Sequence, residues 1–278
     1  METPSLGAGF SYSIQGAWSY LLQIGLDLRL FYWCGSTPIT RKDQANMDYS
    51  RCKQILHDFY SENGIIDHFE RDNLYLEKAF HEINEMWFRN LECIKEVKYL
   101  MIAEAPLWGK DKSYIYNPET KNTQFFQKKD LERVIGLNVY NKLDFLNYCN
   151  KMGLLIIDIS PFAFNTEDTI INYRNKTSNN PYGLTKYQYR GLIEQTLTTF
   201  FDIKIQAISL KKSRNIKIFY RYRRVMIQFN DLIYNSFVKY DFAINENELS
   251  DISKRGGGID AVSYTHLRAD ETSAHLVC

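Results

Sequence analysis

The chain has 278 residues, 34 Lys and Arg against 33 Asp and Glu, and 45% hydrophobic residues, with aromatics at 15% of the total. That apolar content is enough for a core and excludes wholesale disorder, and the length fits one large domain or two small ones at ~100–200 residues each. A net charge of +1 excludes a protein that coats nucleic acid or membrane by bulk charge, although a local basic patch can still act.

Composition divides the chain into three. Every Asn and every Lys lies between Lys42 and Lys254, while the first 45 residues hold five of the 14 Gly. Residues 1–46 are therefore expected to be an uncertain, non-native leader. The stretch 16–34 is apolar but interrupted by Gln23, Asp27 and Arg29, so neither a membrane span of ~20 apolar residues nor a signal peptide is expected. Residues 261–278 contain the run VSYTHLRADET, which resembles sequencing-adapter read-through, and are expected to be a non-native tail. What lies between, 47–260, reads as a single α/β domain with a helical N-terminal extension. Cys34, Cys52, Cys93 and Cys149 are scattered and form no C-x-x-C pair. Reduced thiols, a cytoplasmic location, and neither a resident metal nor a cofactor are expected.

Cys52, Ile55, Leu56, Phe59 and Tyr60 recur at helical spacing and predict an amphipathic helix stopped by Gly64. Leu76, Phe80, Ile83, Trp87, Leu91 and Ile94 predict a second, longer one. The period then changes. Residues 99–103 form a continuous apolar run, the mark of a strand buried on both faces, ending at Glu104-Ala105-Pro106. A loop of about twenty residues follows, far longer than the usual ~4–6. Tyr140, Leu143, Leu146 and Cys149 predict a helix capped by a left-handed Gly153. A second buried strand, 154–157, stops at Asp158. After another polar loop come a helix through Leu192, Ile193, Leu197 and Phe200, a strand over 216–220, and a helix from Val225 to Phe237. Strands alternating with helices predict a mostly parallel sheet flanked by helices.

In such a sheet, ligands sit outside the C-terminal strand ends. Glu104 and Asp158 fall there. Each could polarise a water, bind a metal or contact a ligand, or simply accept hydrogen bonds from loop amides. The first loop carries Trp108, Tyr114, Tyr116, Phe125 and Phe126, flat rings that stack on a planar ligand or else fold the loop onto the body. Asn117 could read a ligand edge, or serve an Asn-Pro turn. Residues 203–230 contain Lys204, Lys211, Lys212, Arg214, Lys217, Arg221, Arg223 and Arg224 and no acid. Such a stretch can track phosphates or pair with the acidic N-terminal helices. Dinucleotide, P-loop and nucleophile-elbow motifs are missing.

At Ile102-Ala103-Glu104-Ala105-Pro106 the chain resembles the first motif of the uracil-DNA glycosylase superfamily, in which a buried strand runs into a Gly-Glu-Ala-Pro-Gly turn. The resemblance implies a parallel α/β fold, a DNA partner and metal-free hydrolysis of the bond between base and sugar. By position it makes Glu104 the acidic residue, with Pro106 beside it, Tyr114 or Tyr116 the stacking aromatic, and Asp158 or Asn165 the base reader. Three departures stand out: Ala103 and Leu107 replace the glycines, Asp158 replaces an amide, and the late histidine loop is missing. Two other readings stand beside it. One is a non-catalytic module on the same fold that binds nucleic acid or protein. The other is a hydrolase of a small nucleotide or sugar, with Glu104 and Asp158 around a divalent metal.

Overall fold

A computed structural model describes residues 47–120, 128–244 and 249–251. The expectations for 1–46, 261–278, Phe125 and Phe126 lie outside these residues.

Asp48 opens the first helix, α1 (Tyr49–Glu62), by accepting from the Ser50 N–H at 2.8 Å, which satisfies one of the free N–H groups of the first turn. A single 3₁₀ turn leads to α2 (Phe69–Cys93). The apolar stripes read from the sequence are the buried faces of both helices. The C-terminus of α2 is closed from a distance. The Lys211 ammonium donates to the carbonyls of Leu91, Glu92 and Ile94 at 2.9, 3.0 and 2.8 Å, where helix carbonyls lack internal partners and the dipole favours a cation.

Strand β1 (Val97–Ala103) follows, with only Lys98 exposed. Helices α3 (Lys128–Ile135) and α4 (Lys142–Met152) lead to β2 (Leu154–Asp158), buried throughout. Gly153 joins α4 to β2 at φ +74°, and a Cβ there would sit 2.4 Å from the Glu96 carbonyl oxygen. Its own carbonyl accepts from the N–H groups of Lys98 and Tyr99. Only glycine fits both demands.

The polar loop after β2 holds a short parallel pair, β3 (Asn172–Asn175) and β4 (Gly183–Leu184). Thr185 and Gln188 then form a capping box that opens α5 (Lys186–Thr196). A π-helical turn (Leu197–Phe201) continues into α6 (Asp202–Ser209). Strand β5 (Lys212–Tyr220), α7 (Arg223–Lys239) and a two-residue β6 (Ser250–Asp251) complete the described chain.

The main sheet is entirely parallel, in the order β2-β1-β5-β6. The chain leaves β1 toward β2 and leaves β5 toward β6, in opposite directions, so the sheet has its switch point between β1 and β5. The outer edge of β2 is covered by side chains: the Ile156 N–H donates to the Tyr116 hydroxyl at 2.6 Å, and its carbonyl accepts from Trp87 Nε1 at 2.9 Å. Among the described residues, no helix is long and apolar enough to cross a membrane.

Candidate functional site

The C-terminal edge of the sheet brings Glu104 and Asp158 onto neighbouring strands. Asp158 pairs with Ala103 in register, and Tyr220 pairs with Ile102. Arg221 extends that ladder by donating its N–H to the Ile102 carbonyl at 2.9 Å. Asp158, Ala103 and Arg221 therefore lie level across three strands. Residues level in a parallel sheet share a face, with the small Ala103 between the acid and the guanidinium. Glu104 is the next residue, in the bend that follows β1.

The two carboxylates meet different surroundings. Asp158 is 3% exposed. Burial pushes its carboxyl above the usual carboxylate range, while the charges of Lys204 and Arg221 draw it partly back. Lys204 is 0% exposed. Its ammonium lies 4.1 Å from the Phe200 ring centroid and 4.9 Å from that of Trp87, with no hydrogen-bond partner. Burial drives it below its ordinary value, and Asp158 opposes that shift. Aromatic faces attract the cation without accepting a conventional hydrogen bond. The Tyr114 hydroxyl, also buried without a partner, is raised by desolvation and by Asp158. Asp158 thus sits at the centre of a dry polar cluster.

Glu104 belongs to a wetter cluster. Its Oε1 is ion-paired with Arg224, which donates as well to the Tyr173 carbonyl at 3.2 Å and lies over the Tyr189 ring. The Tyr189 hydroxyl hydrogen-bonds the Glu104 side chain as well. The Tyr173 hydroxyl donates to the Phe162 carbonyl and meets Ser160 Oγ, each at 2.6 Å. Desolvation raises the Tyr173 and Tyr189 hydroxyls well above their ordinary value, and Glu104 adds to both shifts.

The other expected site residues are taken up by the fold, Tyr114 beside Asp158 among them. Pro106 is buried at the turn after β1. Tyr114 and Tyr116 are 0% and 4% exposed and pack into the core, because the long loop folds onto the body and needs them as its own interior. Asn117 holds its turn, donating to the Lys112 carbonyl and accepting from the Glu119 N–H. Asn165 caps a turn by accepting from the N–H groups of Glu167 and Asp168 at 2.8 Å. Its amide donates to the Tyr75 hydroxyl, which also accepts from the Gly109 N–H. Both asparagines are occupied within the fold, Asn117 by backbone and Asn165 by backbone and side chains.

The basic stretch does not form one track. Lys211 and Lys212 stand at the N-terminal end of β5, and Arg221, Arg223 and Arg224 beyond its C-terminal end. Along β1, Lys212 is level with Val97 and Arg221 with Ala103, so at ~3.3 Å per residue the two groups are roughly 20 Å apart. Lys211 caps α2, and Lys212 lies over Phe242 and reaches the Tyr240 carbonyl. Arg214 is exposed on the strand. Only the second group reaches the site.

Comparison with known proteins adds nothing to this geometry. No family model, curated protein or solved structure matches the chain. The glycosylase resemblance therefore stands on the residues themselves. Among the described residues no cluster of three or more His, Cys, Asp or Glu could hold a metal ion, so the two-carboxylate metal reading gains no further ligand.

Sequence reasoning counted Lys204 only among the basic residues of 203–230 and missed the places of Ser160, Tyr173 and Tyr189 at the site. For Lys204 a signal exists: it lies four residues after Phe200 and four before Ile208, inside an apolar helical stripe. For Ser160 and Tyr173 the long polar loop carries no periodicity that would expose them.

Proposed function

We propose that the chain is a glycosylase-like α/β protein that receives a base of nucleic acid at the C-terminal edge of its sheet and hydrolyses the bond joining that base to its sugar. The observation that carries this reading is Asp158, buried level with Ala103 and Arg221, one strand from the switch point between β1 and β5 where ligands settle in parallel sheets. Burial raises the Asp158 carboxyl to about 6, so below that pH it keeps its proton and offers one donor and one acceptor. That is the pattern of the amide it replaces in the family motif. Glu104 lies on the wetter side, its side chain 18% exposed, and its carboxylate can orient a water. In the step, the water oxygen bonds to the sugar carbon and its proton passes to Glu104. The base leaves with the electrons of the broken bond, its charge met by Asp158 and Arg221.

The test is release of base from oligonucleotides carrying uracil or another altered base, read as alkali-labile abasic sites. Release that is lost in folded Glu104→Gln and Asp158→Ala supports the reading. Release that survives both substitutions, or no release from any substrate, overturns it.

A second reading is a non-catalytic binding module on the same sheet. The Glu104–Arg224 pair favours it, because that pair commits one carboxylate oxygen to structure. Salt-dependent binding of the same oligonucleotides without base release would select it.

A further inference from the structure

Two acid-free segments of the sequence converge at the mouth of this site. Residues 203–230 contain no Asp or Glu, and neither do residues 169–193, which carry Arg174, Lys176, Lys186 and Arg190. Arg224 joins the two through the Tyr173 carbonyl, and Tyr189 joins them through ring contacts of 5.1 Å with Tyr173 and 4.9 Å with Phe229. Arg190 is engaged by Glu194 and Asp231. Arg174, Lys176, Lys186 and Arg223 are exposed, and none forms an ion pair with a described residue.

The same mouth exposes tyrosines. Tyr187 is 88% exposed on the first turn of α5, two residues from the buried Tyr189. Tyr222, 39% exposed, precedes Arg223 at the start of α7, with the Arg221 guanidinium 5.1 Å from its ring. Tyr182, 44% exposed, leads into β4. Folding leaves these residues 39–88% exposed, while it buries Tyr189 and Tyr220 two positions away from Tyr187 and Tyr222.

We propose that this mouth docks single-stranded nucleic acid, with Tyr187, Tyr222 and Tyr182 stacking on bases and Arg174, Lys176, Lys186 and Arg223 holding phosphates. This rests on the reading of the site as one for nucleic acid, and it needs no catalysis. The strandedness follows from chemistry. An exposed ring can stack only on a base that is not already sandwiched in a duplex, and every base offers a flat face, so the track would tolerate sequence. Four cations on a single strand give binding whose log–log salt slope is about −3, at roughly −0.7 per phosphate.

The test uses the full chain and a labelled oligonucleotide of mixed sequence, alone and annealed to its complement, with inorganic polyphosphate as competitor. The single strand should bind roughly tenfold or more tighter than the duplex, and Tyr187→Ala and Tyr222→Ala should each weaken it by about fivefold or more. Arg223→Ala should lower the salt slope by about 0.7. Lys217→Ala, an exposed lysine in mid-strand paired with Tyr99, should change nothing. Equal binding of the duplex, unchanged binding in the tyrosine variants, or displacement by polyphosphate as effective per phosphate as by DNA would overturn the proposal. Base release with unchanged binding in the tyrosine variants would overturn it and leave the excision reading intact. Binding as expected without base release would do the reverse.

Discussion

The two edges of the parallel sheet use similar residues for opposite ends. At the N-terminal edge, Gly153 lets strand and helix approach, and Lys211 closes α2 on three carbonyls. At the C-terminal edge, Arg224 pairs with a carboxylate, Arg223 stands exposed and Lys204 is sealed among rings. The cations at the two ends of β5 lie within one unbroken basic run of sequence. What separates their roles is the partner the fold presents: helix-end carbonyls at one edge, carboxylates and solvent at the other. A count of positive charge along a sequence therefore does not locate a binding surface.

The largest expected effect belongs to the structural edge. Gly153→Ala forces a left-handed side-chain residue and a clash with backbone, and should cost about 3 kcal/mol or more, read by urea denaturation. Lys211→Met should cost about 1.5–3 kcal/mol through the lost charged hydrogen bonds. The salt slope of any nucleic-acid binding should stay unchanged in that variant. A slope that falls instead would return Lys211 to the binding surface and erase the contrast between the edges.

At the other edge Lys204 sharpens the comparison through pH. Its folded pKa is depressed, so the unfolded chain binds more protons above that value. Stability should therefore rise with pH from the depressed value up to the free lysine value of ~10.4. Lys204→Met should remove that alkaline rise, a difference read by urea melts at neutral and alkaline pH. Asp158 has the opposite sign. Its raised folded pKa gives stability that is present below the ordinary carboxylate value and is lost as pH climbs through the raised one. Losing the Lys204 charge should extend that loss to higher pH. The smallest effect on stability is expected for Arg223→Ala, within about 0.5 kcal/mol, and its consequence should appear only in binding.

Much of the architecture was legible because it rests on periodicity. The stripes of α1 and α2, the continuous apolar runs of β1 and β2, and the Gly153 cap all follow from side chains repeating at the period of their element. Helix α3 and strands β3, β4 and β6 were not read, since they span eight residues or fewer and leave too little repeat. At the site, Glu104 and Asp158 were legible as strand-end carboxylates, whereas their partners were not. Arg224 and Lys204 reach them from helices distant in sequence, and the register that aligns Arg221 with Asp158 is a property of the assembled sheet. Tyr114 and Tyr116 show the converse. Aromatics in a long loop look available, yet a loop of that length needs an interior, and these two supply it.

The covering of β2 has a consequence for how the molecule meets copies of itself. A bare outer strand offers unsatisfied amides and carbonyls to any extended segment nearby, which is a route to chain-to-chain zippering. Tyr116 and Trp87 occupy both backbone groups of Ile156, at the middle of that five-residue strand. A foreign strand would have to displace an indole and a phenol before pairing there. Those two rings thus act as a seal on the sheet's flank at Ile156 as well as parts of its core.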